Sequence, residues 1–142
     1  MPRFETGVVI ASTRDVVWHL LTDAARYPVW NPTIARIEGE IADGAQIAVS
    51  PADDPNHAHR VSVVDFEPEN HMTWRAGSSL GLFTSRRVFL LGDCGSGVRF
   101  ELAEDFDGPL AWLLGRRVPD RQEMFDHFAH ALRHAAESVS TG

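Results

Sequence analysis

The chain has 142 residues, of which 44% are hydrophobic and 23% charged, and this composition predicts one globular domain over residues 1–142 with a sizeable core. Its formal net charge of -7 argues against nucleic-acid binding, which needs a basic surface to meet the phosphates. All 13 basic residues are arginine, which excludes the functions that need a lysine amine: Schiff-base chemistry, pyridoxal-phosphate chemistry and the Walker-A phosphate loop. The charge therefore predicts no nucleic-acid partner, and we expect no cofactor.

The N-terminal stretch predicts no targeting or membrane segment. Arg3 and Glu5 stand where a signal peptide would need an apolar core, and no apolar run approaches the ~20 residues of a spanning helix. The lone Cys94 cannot form an internal disulfide, which agrees with a reducing compartment. We expect a cytoplasmic protein without stable membrane insertion, present as a monomer or a homodimer.

The chain opens with a predicted strand and a short helix. Apolar and polar residues alternate over Phe4–Ile10, as in a strand with one half-buried face. Ser12 with Asp15 three residues later resembles a capping box that opens a helix. The apolar side of this helix is formed by Val16, Val17, Leu20 and Leu21.

The joint after this helix, YPVWNP, is predicted to be a turn. Each proline disfavours the helical conformation for the residue before it, here Tyr27 and Asn31. The chain is therefore expected to turn and to enter a strand over Thr33–Ile41.

From there the pattern is that of antiparallel strands, since no βαβ spacing appears. Polar turns separate the strands, among them Ala42-Asp43-Gly44 and Glu67-Pro68-Glu69-Asn70. The further strands are predicted after Gly44 and over Arg60–Phe66, His71–Ala76, Phe83–Leu91 and Val98–Phe106.

The C-terminus gives the strongest periodic signal, a helix over Arg121–Ser138. Pro109 is well placed in the first turn of a preceding helical segment, and Pro119 predicts a break near Arg117–Asp120. The apolar arc of the long helix is formed by Met124, Phe125, Phe128, Leu132, Ala135 and Val139. Helix and sheet each have an apolar face to bury, so we expect them to pack on one another.

This order of elements, with W-N-P after the first helix, PENHMTW as a hairpin and EDFDGPLAWLL before the final helix, resembles the START-like or polyketide cyclase/dehydrase superfamily, also called SRPBCC. The resemblance implies an α+β helix-grip fold, as in Bet v 1-like proteins. In that fold a strongly bent antiparallel sheet of about seven strands wraps around a long C-terminal helix, and two short helices follow the first strand. A deep, mostly apolar cavity lies between sheet and helix.

The resemblance implies that this cavity binds a small, largely hydrophobic ligand of lipid, polyketide or aromatic type. Two alternatives stay open. One is an enzyme of the cyclase, aromatase or dehydratase kind, in which Arg86, Glu104, Tyr27 or Asp65 would handle protons. The other is an interaction module of the chaperone-activator type, which would have a filled core. The residues expected to line the cavity are Trp30, Val63, Trp74, Arg86, Val88, Leu90, Phe100, Leu102, Glu104, Leu113, Phe128 and Leu132.

The last hairpin predicts the polar end of this cavity. With a turn centred near Gly95, the numbers of opposed residues sum to about 190, which pairs Arg86 with Glu104. The apolar pairs of the same face are Val88 with Leu102 and Leu90 with Phe100. The charged pair is expected either to orient a polar end of the ligand or to be a structural pair at the rim.

Three further patterns have weaker functional interpretations. The G-x-S-x-G motif at Gly77–Gly81 lacks the strand-turn-helix context of a hydrolase serine. Trp112 and its neighbours, before Arg116 and Arg117, suit a lid on the cavity better than an interfacial membrane anchor. A helical stripe with metal-ligand spacing points away from the apolar arc, so we predict no metal site there. It consists of Glu123, His127, His130 and His134.

Overall fold

The computed structural model describes residues 3–77, 84–109 and 122–141. The described strands are β1 (Arg3–Ile10), β2 (Ile34–Glu38), β3 (Gln46–Pro51), β4 (His59–Glu67), β5 (His71–Gly77), β6 (Thr84–Cys94) and β7 (Gly97–Asp107). The helices are α1 (Arg14–Thr22), a 3-10 turn (Ala24–Arg26), α2 (Tyr27–Trp30) and α3 (Gln122–Thr141). The predicted lid around Leu113, the Pro119 break and most of the G-x-S-x-G motif lie outside the described residues.

The strands form one seven-stranded antiparallel sheet in the order β1-β7-β6-β5-β4-β3-β2. The sheet curls strongly into a half-barrel, and α3 packs on it while α1 and α2 follow the first strand. The helix-grip fold expected from the sequence is confirmed. No helix in the described ranges is both long and apolar enough to cross a membrane.

Side-chain alternation along the strands decides which residues reach the concave face of the sheet. In β7, for example, Val98, Phe100 and Leu102 are buried, while Arg99 and Glu101 between them are exposed. The inner face of α3 fills the half-barrel with Phe125, Phe128, Ala129, Leu132 and Ala136, each at most 1% exposed. The predicted packing of helix on sheet is therefore observed.

Helix α3 also covers the outer edge of β1 through side chains. The Gln122 amide donates to the Glu5 carbonyl at 2.8 Å, and Glu137 accepts from the Ala11 backbone N–H at 2.9 Å. Between them, the Thr6 hydroxyl donates to Asp126 at 2.7 Å. Backbone groups that would otherwise be unpaired at the sheet edge thus find partners on the helix.

The first helix begins one residue later than the predicted capping box. Thr13, not Ser12, is the N-cap, with extended backbone angles of φ -113° and ψ 160°. Its carbonyl accepts the first helical hydrogen bond, from the Val17 N–H at 3.1 Å. The backbone N–H of Ser12 instead donates to the Ile10 carbonyl, so Ser12 still belongs to the turn that leaves β1.

The YPVWNP joint is more helical than predicted. Tyr27 has helical angles, φ -50° and ψ -47°, although a proline follows it. Burial of its ring and a 2.6 Å hydrogen bond from its hydroxyl to the Leu21 carbonyl outweigh the local preference. Asn31 has left the helix, as predicted, with φ -109° and ψ 106°.

The last hairpin has a different register from the predicted one. Its loop has two residues, Gly95 and Ser96, between the paired Cys94 and Gly97, and Gly95 has a φ of 59°, as at the first central position of a type II′ turn. The turn therefore lies between Gly95 and Ser96 rather than on Gly95, which moves every pair by one residue. The sequence-based pairing of Arg86 with Glu104 is wrong, because Arg87 pairs with Glu104.

The same displacement corrects the expected apolar pairs. Phe89 opposes Leu102, and Leu91 opposes Phe100. Since a shift of one residue moves a side chain to the other face, Arg86, Val88 and Leu90 belong to the convex face. Leu90 is 41% exposed there.

Candidate ligand pocket

A pocket of about 360 Å³ opens on the concave face at one end of the half-barrel, where β3, β5 and β7 end and β6 begins. Its volume falls at the lower end of the ~300–1,000 Å³ common for ligand sites. Apolar side chains predominate in its inner wall, and exposed polar residues lie at its mouth. The described lining residues are Val49, Pro51, His59, Arg60, Val61, Trp74, Ala76, Gly77, Ser85, Arg87, Glu104 and Phe106.

Three of these side chains stand in one row across neighbouring strands. Trp74 of β5 is the Cα partner of Arg87 in β6, and Arg87 is the partner of Glu104 in β7. Directly opposed residues of antiparallel strands have Cα atoms about 4.5–5.5 Å apart and side chains on the same face. The sheet register alone thus brings an indole, a guanidinium and a carboxylate together in the pocket.

Arg87 and Glu104 form a buried ion pair. The Arg87 Nε–H donates to Glu104 Oε2 at 3.1 Å, and the two side chains are only 13% and 6% exposed. The guanidinium carbon also lies 5.2 Å from the centre of the Phe125 ring on α3, which allows a cation-π contact. Burying two charges carries a desolvation cost that hydrophobic residues would avoid, so the pair is weak evidence for a purely stabilising role.

Trp74 has an unpartnered donor. The residue is 3% exposed, and its indole Nε1 is buried without a hydrogen-bond partner in the described part of the chain. Its ring contacts Phe89 and Tyr27, with centroids 4.7 and 6.0 Å away. An unsatisfied buried N–H typically costs about 1–3 kcal/mol, which a ligand acceptor could recover.

Tyr27 and Asp65, the other residues considered for proton handling, are placed differently. The Tyr27 hydroxyl donates a hydrogen bond to the Leu21 carbonyl, and burial raises the pKa of Tyr27, which keeps the phenol neutral. Asp65 is exposed in the irregular part of β4 with a φ of 48°. Neither residue lines the described pocket.

The residues expected to line a cavity divide into distinct groups. Trp74 and Glu104 line the pocket, whereas Trp30 is half-buried and packs on Tyr27 and Phe128, with ring centroids 5.0 and 5.7 Å away. Core residues with at most 1% exposure are Val63, Phe100, Leu102, Phe128 and Leu132. Arg86, Val88 and Leu90 lie on the convex face, and Leu113 lies outside the described residues.

Aromatic rings of the described residues pack closely beneath α3. The Phe128 ring lies within 6.3 Å, centre to centre, of the rings of Tyr27, Trp30, Phe89 and Phe100. The described pocket lies beside this group of rings, at the end of the half-barrel.

Arg87 is the site residue that sequence reasoning missed. The signal that could have found it is the Gly95-Ser96 dipeptide, because a two-residue loop with glycine first predicts the observed register. Other lining residues, such as Ser85 and Phe106, follow from the same register, since they are partners two residues farther along the hairpin.

The histidine-rich patterns are on the surface. The stripe on α3 (Glu123, His127, His130 and His134) is exposed, with His127 Nε2 4.0 Å from Glu123. His57 and His59 stack with ring centres 4.9 Å apart. Within the described ranges, no group of three or more histidine, cysteine or acidic residues is placed to hold a metal ion.

Known structures share the architecture. A hypothetical protein from Helicobacter pylori has a TM-score of 0.78 and 15% identity, over 95% of this chain and 88% of that one. A START superfamily protein from Mycobacterium smegmatis has a TM-score of 0.70 and 16% identity, over 96% of this chain and 98% of that one. The di-domain ARO/CYC StfQ from the steffimycin biosynthetic pathway has a TM-score of 0.70 and 16% identity, over 99% of this chain and 52% of that one. At such identities the likeness shows the fold.

No match was found among curated proteins. The family described as "Polyketide cyclase / dehydrase and lipid transport" matches residues 1–137. Because this match covers nearly the whole chain and the similar structures include START superfamily and ARO/CYC proteins, the chain belongs to the polyketide cyclase/dehydrase and lipid transport family, as its START-like resemblance predicted.

Proposed function

We propose that the chain binds a small, largely hydrophobic molecule in the pocket at the end of the half-barrel. The observation that carries this proposal is an apolar concave pocket with a few buried polar groups, the usual composition of a small-molecule site. The family's association with lipid transport supports it. The limited volume favours a compact ligand over a two-chain lipid.

The pocket can be tested by filling it. Ala76 lines the pocket, so Ala76→Leu should occupy ligand space, whereas Ala48→Leu adds the same atoms to β3 on the convex face. The apolar probe 2-ethylnaphthalene should bind the wild-type chain and Ala48→Leu, and bind Ala76→Leu about tenfold more weakly, as measured by equilibrium dialysis. Native mass spectrometry of gently purified protein should also detect a carried ligand. Equal binding to both variants would contradict the proposal.

A second candidate is catalysis of the cyclase or dehydrase kind in the same pocket. The buried Arg87–Glu104 pair favours it, because Glu104 brings a carboxylate, a candidate proton acceptor, into an apolar pocket. The ARO/CYC similarity and a similar protein from the dynemicin biosynthetic locus are compatible with it. A poly-β-ketone thioester should then be cyclised by the wild-type chain and not by Arg87→Met/Glu104→Gln. Binding without turnover would favour the carrier role.

The chaperone-activator alternative is less well supported. It requires a filled core, and the interior under Phe128 meets that requirement. The open pocket beside this interior does not fit a filled core.

A further inference from the structure

We infer that the polar part of the pocket selects a neutral molecule through a carbonyl oxygen, which accepts hydrogen bonds from the Trp74 indole and the Arg87 guanidinium. This inference rests on the proposed binding function and specifies the class of ligand.

The first step concerns the unsatisfied groups. In the described ranges, the buried side-chain polar atoms without a partner are Trp30 Nε1, Asn31 Nδ2 and Trp74 Nε1. All three are donors, and Trp74 lines the pocket. A missing partner for a donor must be an acceptor, which excludes an ammonium group, a donor without a lone pair, as the matching part of the ligand.

The second step concerns Arg87. Its Nε–H donates to Glu104, while its remaining N–H groups make no hydrogen bond to the residues that the structure describes. Arg87 and Trp74 are direct cross-strand partners and line the same pocket. Neither side chain can accept a hydrogen bond. Together they form a donor-only surface suited to an oxygen with free lone pairs.

The third step decides between a carbonyl and a carboxylate. The charge of Arg87 is already balanced by Glu104, so a carboxylate ligand would bring a second negative charge next to a buried one. The other arginine of the lining, Arg60, is exposed at the mouth, where water screens its charge. A neutral carbonyl accepts from both donors without this repulsion.

Three naphthalene probes of similar shape separate these possibilities. They are 2-acetylnaphthalene, a ketone; 2-naphthoate, a carboxylate; and 2-ethylnaphthalene, which has no acceptor. Equilibrium dialysis with the full chain should show the ketone binding about 3- to 10-fold more tightly than the ethyl compound, as expected for one net hydrogen bond. Naphthoate should bind more weakly than the ketone.

Trp74→Phe keeps an aromatic ring and removes the donor. In this variant the preference for the ketone over 2-ethylnaphthalene should nearly vanish, whatever the smaller ring does to the affinity for both probes. Trp18→Phe is the matched control: Trp18 packs on Phe66 at 5.4 Å, away from the pocket, and its replacement should leave the preference intact.

A measurement on the unaltered chain guards against a poorly folded variant. In ¹⁵N-labelled protein, the ketone should move one indole N–H resonance downfield, and 2-ethylnaphthalene should not. Equal affinity for these two probes without such a shift, or tightest binding of naphthoate, would overturn the inference and leave the proposed function standing. If none of the three probes binds, both fail.

Discussion

Tyr27 is the one tyrosine of the chain, and its ring lies inside the core with the hydroxyl donating to the Leu21 carbonyl. Burial raises its pKa, against a smaller opposing influence from the charge of Arg87. In the unfolded chain the phenol loses its proton near pH ~10. Because the folded state holds the proton more strongly, the contribution of Tyr27 to stability is complete below pH ~10 and is lost as the pH rises towards the folded pKa.

The raised pKa of Tyr27 predicts that stability falls above pH ~10. The effect should be visible because the chain has no lysine, so few other groups titrate near that pH. In a Cys94→Ser background, which removes the thiol, the free energy of unfolding should fall by up to about 1.4 kcal/mol per pH unit above pH ~10. Adding Tyr27→Phe should abolish this slope, at a cost of about 0.5–1.5 kcal/mol near neutral pH for the lost hydrogen bond. Urea denaturation at several pH values measures both effects. An identical slope in the two proteins would contradict the assignment.

The Arg87–Glu104 pair gives a stability prediction at the same scale. Glu104→Gln removes the negative charge opposite a mostly buried guanidinium, so the free energy of unfolding should fall by about 3–5 kcal/mol. Arg87→Met/Glu104→Gln should recover much of this loss, because a neutral pair carries no desolvation cost for charge. Urea denaturation of the single and double variants makes the comparison.

The control is the pair Arg99–Glu101 in β7, whose side chains are 51% and 48% exposed. Glu101→Gln should cost no more than about 1 kcal/mol. Comparable losses at the two sites would mean that burial does not distinguish the pairs.

At the scale of elements, the inner face of α3 is buried against the core. Leu132→Ala should therefore lower the free energy of unfolding by about 2–5 kcal/mol, since Leu132 is fully buried among core residues. The sequence-based expectation of a cavity at this position implied a smaller loss. Leu90→Ala on the exposed convex face is the matched control and should cost much less. Thermal and urea unfolding would detect the difference, and similar losses would show that Leu132 does border empty space.

The strands could be predicted from alternation, but the faces of the last two depended on the turn. The period of two identifies a strand without saying which residue opposes which. The loop is centred half a residue after the predicted position on Gly95. Arg87 instead of Arg86 therefore pairs with Glu104, and Val88 and Leu90 face outward. The predicted pairing of Arg86 with Glu104 failed at that step, even though the hairpin itself was predicted correctly.

The prediction that Tyr27 leaves the helical conformation was wrong for another reason. Local preference before a proline is a small energy, and the burial of a tyrosine ring with its hydroxyl satisfied is a larger one. Burial depends on α3 and β5, which the local sequence does not contain.

At the scale of the molecule, the fold could be predicted because its determinants are distributed along the whole chain. Alternating strands, a long amphipathic helix and their order each point to the same architecture. The extent of the cavity could not be predicted, because it depends on how the rings around Phe128 fill the space between sheet and helix. Such packing is a property of three-dimensional contacts: Trp74 and Glu104 line the described pocket, whereas Phe128 and Leu132 are buried in the core.

The contacts of α3 along β1 have a consequence for how molecules of this protein meet one another. An uncovered strand edge presents free N–H and C=O groups that can pair with another chain, which is a route to aggregation. Gln122 and Glu137 occupy such groups at Glu5 and Ala11. Detachment of the helix would therefore expose an apolar surface and a strand template in one event, so the same contacts that complete the core also cover an edge at which another chain could pair.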